Sequence, residues 1–322
     1  MFHKICLAVL CCVLLPAPLL VSAQSYPSKP VRIIVPFSAG SASDIVARII
    51  GQRLAEDLGQ PVIVDNKPGA IGTLGASLAA KAPPDGYTIS LGASGTHGSS
   101  VSLFNKLPYD PVKDFAPITL IGYIPFALVC GNDLPEDSLQ ELVTSVKANP
   151  GKRTLGAASG VSRLFGELFK MTAAADMAIV PYKSVSPAFI DLISGRLDCM
   201  FETVPASLPQ IKAGRLKALV VTSSKRSALL PNIPTIAESG YPGFEANVWT
   251  GFFAPAGTPK EIIAKLNTVI VRVLQLQEIR EKMMENGTEA AVSTPEQLGN
   301  MVKLEVAKWA RVVEKANLPK VD

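Results

Sequence analysis

From residue 31 onward the chain alternates short runs of β-branched residues with longer segments whose apolar positions recur every three or four residues. That alternation predicts an α/β architecture of parallel sheets with helices on both faces. Residues 31–36 read as a first strand and 37–43 as a small polar loop. Ile45, Val46, Ile49, Ile50, Leu54 and Leu58 then hold helical spacing up to Gly59. Strands at 62–64 and 88–91 flank a helix predicted over 69–81, and the turn Pro83-Pro84-Asp85-Gly86 precedes the later strand. A second rhythm starts near Ile124, with strands at 126–130, 154–158, 178–180, 197–201 and 216–221. Helices at 138–148, 163–174, 187–194 and 204–213 separate them. The chain closes with a strand at 249–254 and helices at 259–278 and 295–315. These last helices have no sheet of their own and are expected to return to the first unit. Two units follow, residues 24–124 with 249–322 and residues 125–248, joined by crossings near 124 and 248.

The first 23 residues stand apart. Lys4, an apolar stretch over 5–20 and Val21-Ser22-Ala23 have the form of a cleaved secretory signal, which implies a periplasmic protein. The remaining roughly 300 residues suit two domains better than one core. Hydrophobic residues make up 48% of the chain and charged residues 18%, the balance of a well-buried globular protein. The formal net charge of +4 is spread without a Lys/Arg run, so nucleic acid and anionic membrane surfaces are not expected partners. Beyond the signal only Cys130, Cys199 and His97 remain of their types. That is too few for a closed zinc site, so no metal is expected. The two cysteines are open to either reading, a disulfide or buried free thiols.

The candidate chemistry lies in loops between a strand end and a helix start. Phe37, Ser38, Ala39, Gly40, Ser41, Ala42, Ser43 and Asp44 form one such loop, where unpaired amides and the helix dipole attract an anion. Ser41 and Asp44 also match a capping box, and capping uses different amides from those an anion would take. Ser159, Gly160, Val161, Ser162 and Arg163 repeat the arrangement in the second unit, with Arg163 able to add a carboxylate clamp. Two helix starts, one per unit, can therefore pinch one ligand. No phosphate-loop signature occurs, and Gly69, Gly72 and Gly75 have the wrong first spacing for a dinucleotide fingerprint, so no cofactor is expected. His97 is the only imidazole that could serve a hydrolase, and no nucleophile elbow accompanies it. Asp198 and Glu202 lie about 13 Å apart on a strand, too far for paired-acid catalysis. Glu202, at the strand's carboxyl end, can still face a hydroxyl or cationic group of a ligand.

Several stretches carry a resemblance over essentially the whole mature chain: YPSKPVRIIVPF (26–37), LGQPVIVDNKPGA (58–70), APPDGYT (82–88), LPYDPVKDFAPIT (107–119), VPYK (180–183), IKAGRLKALVVTSSKR (211–226), APAGTPKEIIAKLN (254–267) and STPEQL (293–298). In these the chain resembles the receptors of tripartite tricarboxylate transporters, the Bug or TctC family. The resemblance implies a type II periplasmic-binding fold, two doubly wound lobes around a central cleft that closes like a flytrap. It also implies a monomeric receptor that binds a ligand carboxylate by the two loops and hands it to membrane permease subunits. Carried over by position, Thr96, Tyr182 and Glu202 would join those loops in lining the cleft. The first loop has Ser38-Ala39 and Gly40-Ser41 where the family has prolines and a glycine pair. Arg163 replaces a common histidine, and Glu202 an aspartate.

Overall fold

The structure, a computed structural model, describes residues 26–320. The expected signal peptide lies outside the described residues. In chain order the first elements are β1 (Val31–Val35), α1 (Ala42–Leu58), β2 (Val62–Asn66), α2 (Thr73–Ala80), β3 (Thr88–Ala93), α3 (Ser100–Leu103) and β4 (Phe115–Ile124). The middle of the chain forms β5 (Phe126–Gly131), α4 (Leu139–Ala148), β6 (Thr154–Ala157), α5 (Gly160–Ala173), β7 (Ala178–Pro181), α6 (Val185–Ile193), β8 (Cys199–Thr203), α7 (Val204–Lys212) and β9 (Leu216–Val221). The chain ends with β10 (Val248–Pro255), α8 (Lys260–Gln275), α9 (Gln277–Glu285), β11 (Glu289–Ala290) and α10 (Pro295–Lys315).

These elements form two sheets, in the orders β11-β4-β10-β3-β1-β2 and β7-β6-β8-β5-β9. Neither sheet is wholly parallel, which corrects the sequence expectation. β1, β2 and β3 are parallel, as are β6, β7 and β8, but β10 runs against β3 and β4, and β5 against β8 and β9. The reason is the crossings. β4 passes through Pro125 directly into β5, and β10 brings the chain back after Asn247. A strand that enters a sheet from the crossing must run away from that edge, opposite to the strands that end there.

Several elements were not legible in the sequence as they occur, α3 and β11 among them. β4 carries Pro117 and Gly122 and no predicted element covers it; Pro117 is accommodated at a register shift opposite Phe253. The helix expected over 259–278 breaks at Leu276, whose ψ of 131° leaves the helical region, giving α8 and α9. The segment expected as a helix from 69 starts instead with a tight turn in which Ile71 and Gly72 have φ of 57° and 90°, so α2 begins at Thr73.

Each sheet buries an apolar layer on both faces. Ile33, Val35, Ile50, Leu54 and Ile270 lie on one side of the first sheet, and Ile34, Leu120, Trp249 and Phe253 on the other. Leu128, Phe165 and Phe201 face one side of the second sheet, and Val129, Met200 and Leu216 the other. α10 does not serve the first unit alone. Leu298 and Val302 pack in the first core, whereas Trp309, Val312 and Val313 pack in the second, with Trp309 stacked on Phe165 at 5.8 Å and 8°. A helix of 21 residues is long enough to reach both. Cys130 and Cys199 are directly opposed across β5 and β8, fully buried, and joined as a disulfide. This closes a loop spanning a sequence separation of 69. Replacing both cysteines by alanine is expected to lower stability by about 2–4 kcal/mol. Urea denaturation of the double variant beside the oxidised protein checks this, and an unchanged midpoint would contradict it.

Candidate ligand-binding site

In the first sheet β1 lies between β2 and β3, so the chain steps to one side after β1 and returns on the other. β6 lies between β7 and β8 in the same way. Crevices form at such reversals, outside the carboxyl ends of the strands. The registers turn both reversals toward the crossings. Thr250 opposes Ala93 at the end of β3 and Val248 opposes Ile124, so the first sheet's carboxyl edge is where the chain leaves and returns. Phe126 opposes Thr203 at the end of β8, which does the same for the second sheet.

The first loop hangs from β1 at this edge. Ser41 caps α1, its Oγ accepting from the amide of Asp44 at 3.3 Å. Asp44 is placed differently from the sequence expectation: its carboxylate is buried behind the loop, where it accepts from the Gly40 amide at 2.8 Å, Asn66 Nδ2 at 2.9 Å and Arg48 Nε at 3.1 Å. Burial raises its pKa, but Arg48, the Gly40 amide and Asn66 outweigh this and hold it below the ordinary carboxylate value. Asn66 also donates to the Phe37 carbonyl at 3.1 Å. Asp44, Arg48 and Asn66 thus fix the loop's shape. Arg48 and Asn66 were missed as organisers, although Asn66 sits in one of the stretches that carry the resemblance. With the amides of Gly40, Ser41 and Asp44 used internally, those of Ser38, Ala39, Ala42 and Ser43 have no partner among the described residues. Ser38, Ala39, Gly40 and Ala42 are exposed.

The second loop repeats the device. Ser159 caps α5, accepting from the Ser162 amide at 3.1 Å, while Ser162 Oγ accepts from the Ser159 amide at 2.9 Å. Ser162 is therefore buried and committed to the cap, not free to offer its hydroxyl to a ligand. The amides of Gly160 and Val161, the first two helical positions, have no partner among the described residues. A Cβ added at Gly40 or Gly160 would meet nothing within 4 Å, so both backbones face open space. Arg163 is exposed, with no side-chain partner among the described residues. Tyr182 and Glu202 lie at the same edge. Tyr182 donates its hydroxyl to Asp191 at 2.8 Å and presents the rest of a half-buried ring. Glu202 is 5% exposed; Oε1 accepts from the Thr203 amide at 2.8 Å and Thr203 Oγ1 at 3.0 Å. Burial raises its pKa more than these two bonds lower it.

Comparison with known proteins places the chain in a family. The model of the tripartite tricarboxylate transporter family receptor matches residues 46–318. The chain belongs to this family. It is 38% identical over 296 residues to Protein BugT of Bordetella pertussis, covering 91% of each chain. Among solved structures, R. palustris Rpa4515 with adipate is 35% identical with a TM-score of 0.72, covering 92% of this chain and 100% of the other. MatC from Rhodopseudomonas palustris, with bound malate, is 36% identical with a TM-score of 0.68, covering 89% and 100%. The type II periplasmic-binding fold and the solute-receptor assignment follow, and the hydrolase alternative has no support.

The receptor's remaining candidate residues serve its interior. Thr96 is fully buried: its hydroxyl accepts from the Ala93 amide at 3.0 Å and lies 3.0 Å from His97 Nδ1, so it supports the loop after β3 and offers no donor to a ligand. It does help seat the first loop, since a Cβ at Gly72 would lie 2.9 Å from its methyl group and 3.2 Å from the Phe37 ring. Asp198 bonds Arg153 at 2.9 Å and the Thr154 amide at 2.7 Å, a structural tie. His97 is fully buried, stacked on Phe253 at 4.3 Å and beside Phe115 at 4.5 Å. Burial pushes its pKa down to about 3. Below the ordinary value of about 6.5 the unfolded chain takes up a proton that the native imidazole refuses. The stability it contributes is complete above about pH 6.5 and is lost as pH falls toward 3. Thermal unfolding across pH 4–7 should show this decline, and a His97→Leu variant should show a shallower one; equal slopes would contradict the assignment.

Proposed function

We propose that this receptor captures a small carboxylate-bearing solute in the gap between its two sheets and is drawn closed by it. The observation that carries this is the pair of helix starts at the two chain reversals. At each, a serine cap satisfies the third-position amide and leaves the first two, Ala42 and Ser43 or Gly160 and Val161, open toward the gap. An anion is attracted there by donor geometry and by the dipoles of helices 17 and 14 residues long. Phe37, Ser38, Ala39, Gly40, Ser41 and Ser43 contribute the first wall, and Ser159, Arg163, Tyr182 and Glu202 the second. Glu202, an acceptor when ionised, favours a ligand with a hydroxyl group near the carboxylate. The adipate-bound and malate-bound relatives support the ligand class.

Residues 24–124 with 249–302 and residues 125–248 act as the two lobes, turning about the crossings at Pro125 and Asn247; the end of α10, expected with the first unit, packs through Trp309, Val312 and Val313 in the second core. A carboxylate that touches both helix starts gains contacts only when the lobes approach, which is the differential affinity closure requires. Residues 1–23 direct export to the periplasm and are removed there. The mature receptor is a monomer and delivers its ligand to membrane permease subunits. Among the described residues no helix is long and apolar enough to cross a membrane.

Proline at the first helical position keeps helix geometry and deletes only the amide proton. Ser41 and Ser159, which precede these positions, have ψ of 158° and 165°, the extended backbone that a following proline requires. Ala42→Pro and Gly160→Pro are therefore expected to fold with near-native thermal stability. Each should lose about 10- to 100-fold in affinity for whichever of adipate or malate binds, the range for a hydrogen bond to a charged group. Calorimetric titration measures this. Unchanged affinity in both variants, or equal binding of the uncharged diamide, would defeat the proposal.

A further inference from the structure

The two lobes also touch on the far side of their crossings. Glu289 of β11 accepts from Ser227 Oγ at 2.6 Å and from the amide of Ala228 at 3.2 Å, two residues that follow β9 in the other sheet. Ser227 is 1% exposed; its hydroxyl accepts from the Leu229 amide at 3.2 Å and has Glu289 as the acceptor for its proton. Beside the pair, Gly287 abuts the Pro205 ring at the start of α7 so closely that a Cβ would lie 2.5 Å from the ring. The sheet orders fix where this contact stands. β10 and β4, which carry the crossings, separate β11 from β3 and β1; β5 separates β9 from β8 and β6.

We propose that Glu289 is a positioning residue for ligand capture, a latch at the rear of the hinge that holds the gap open and thereby sets the receptor's apparent affinity. The inference rests on the closure reading above. Lobes that turn about the crossings move in opposite senses on their two sides, so closing the gap draws Ser227 away from Glu289. The free energy of that separation is subtracted from what the ligand gains by bridging the lobes. Removing the latch raises the closed population without altering any group that faces the ligand. This differs from what a purely structural contact does, because affinity goes up when the contact is lost.

The test places nitroxide labels at Leu78→Cys and Ile190→Cys, exposed positions on α2 and α6, one in each lobe. Pulsed dipolar spectroscopy then measures the distance between lobes without ligand and with adipate or malate. Glu289→Ala and Ser227→Ala, which break the latch from opposite lobes, should each move the ligand-free distribution toward the liganded one. Their affinity for the acid that binds should rise about three- to tenfold, the worth of a typical net hydrogen bond. Glu289→Gln keeps an acceptor oxygen for Ser227 and should stay closer to the parent. Glu296→Ala, which removes an exposed carboxylate from α10, should match the parent. If the parent closes with ligand and the latch variants share its ligand-free distances and affinity, the latch is wrong and hinge closure stands. If the parent's labels do not approach with any acid that binds, hinge closure fails and the latch with it.

Discussion

Everything in this receptor turns on how a helix start satisfies its own amides. A helix leaves its first N–H groups without partners, and an N-cap side chain reaches the second- or third-position amide, the third in both α1 and α5. Ser41 takes the third-position amide of α1 while its own amide bonds the Ser38 carbonyl, and Ser159 and Ser162 cap each other in α5, so each cap stabilises its helix and leaves the first two amides without a partner among the described residues. The cap and the proposed anion site are two halves of one hydrogen-bond account. Because α1 and α5 each start at a reversal of strand order, both open ends face the crossings, which is what the proposed site requires.

The rest of the fold keeps that geometry in place. Asp44 is drawn out of the ligand's reach and used as a post to which Gly40, Arg48 and Asn66 are tied. A buried carboxylate with these partners rigidifies the loop. In the second unit the disulfide joins β5 to β8, so the strand arriving from the crossing is covalently bound to the strand that carries Glu202. α10 spans both cores through Leu298 and Trp309, which gives the lobes a third connection beside the two strand crossings.

Much of this was legible in the sequence because it is written in local periodicity. The β-branched runs, the serines before helical spacing and the length of the mature chain predict strands, caps and two units. What was not legible depends on partners far away in the chain. Pro117 hides β4 because the bulge that tolerates it exists only against Phe253. Thr96 and Tyr182 enter as cleft-lining residues by resemblance alone, and only the fold shows their hydroxyls engaged by Ala93 and Asp191. Ser162 reads as a ligand group, and the sequence leaves its burial unstated. The cysteines remained open between two fates until the register of β5 and β8 set them opposite each other.

The central claim is that amides from both helix starts hold one anion. The most direct measurement is the backbone amide NMR spectrum of the receptor titrated with adipate and with malate. The account predicts that Ala42, Ser43, Gly160 and Val161 move downfield together and saturate at one concentration. Shifts confined to one loop, or absent from all four amides while binding occurs, would contradict it.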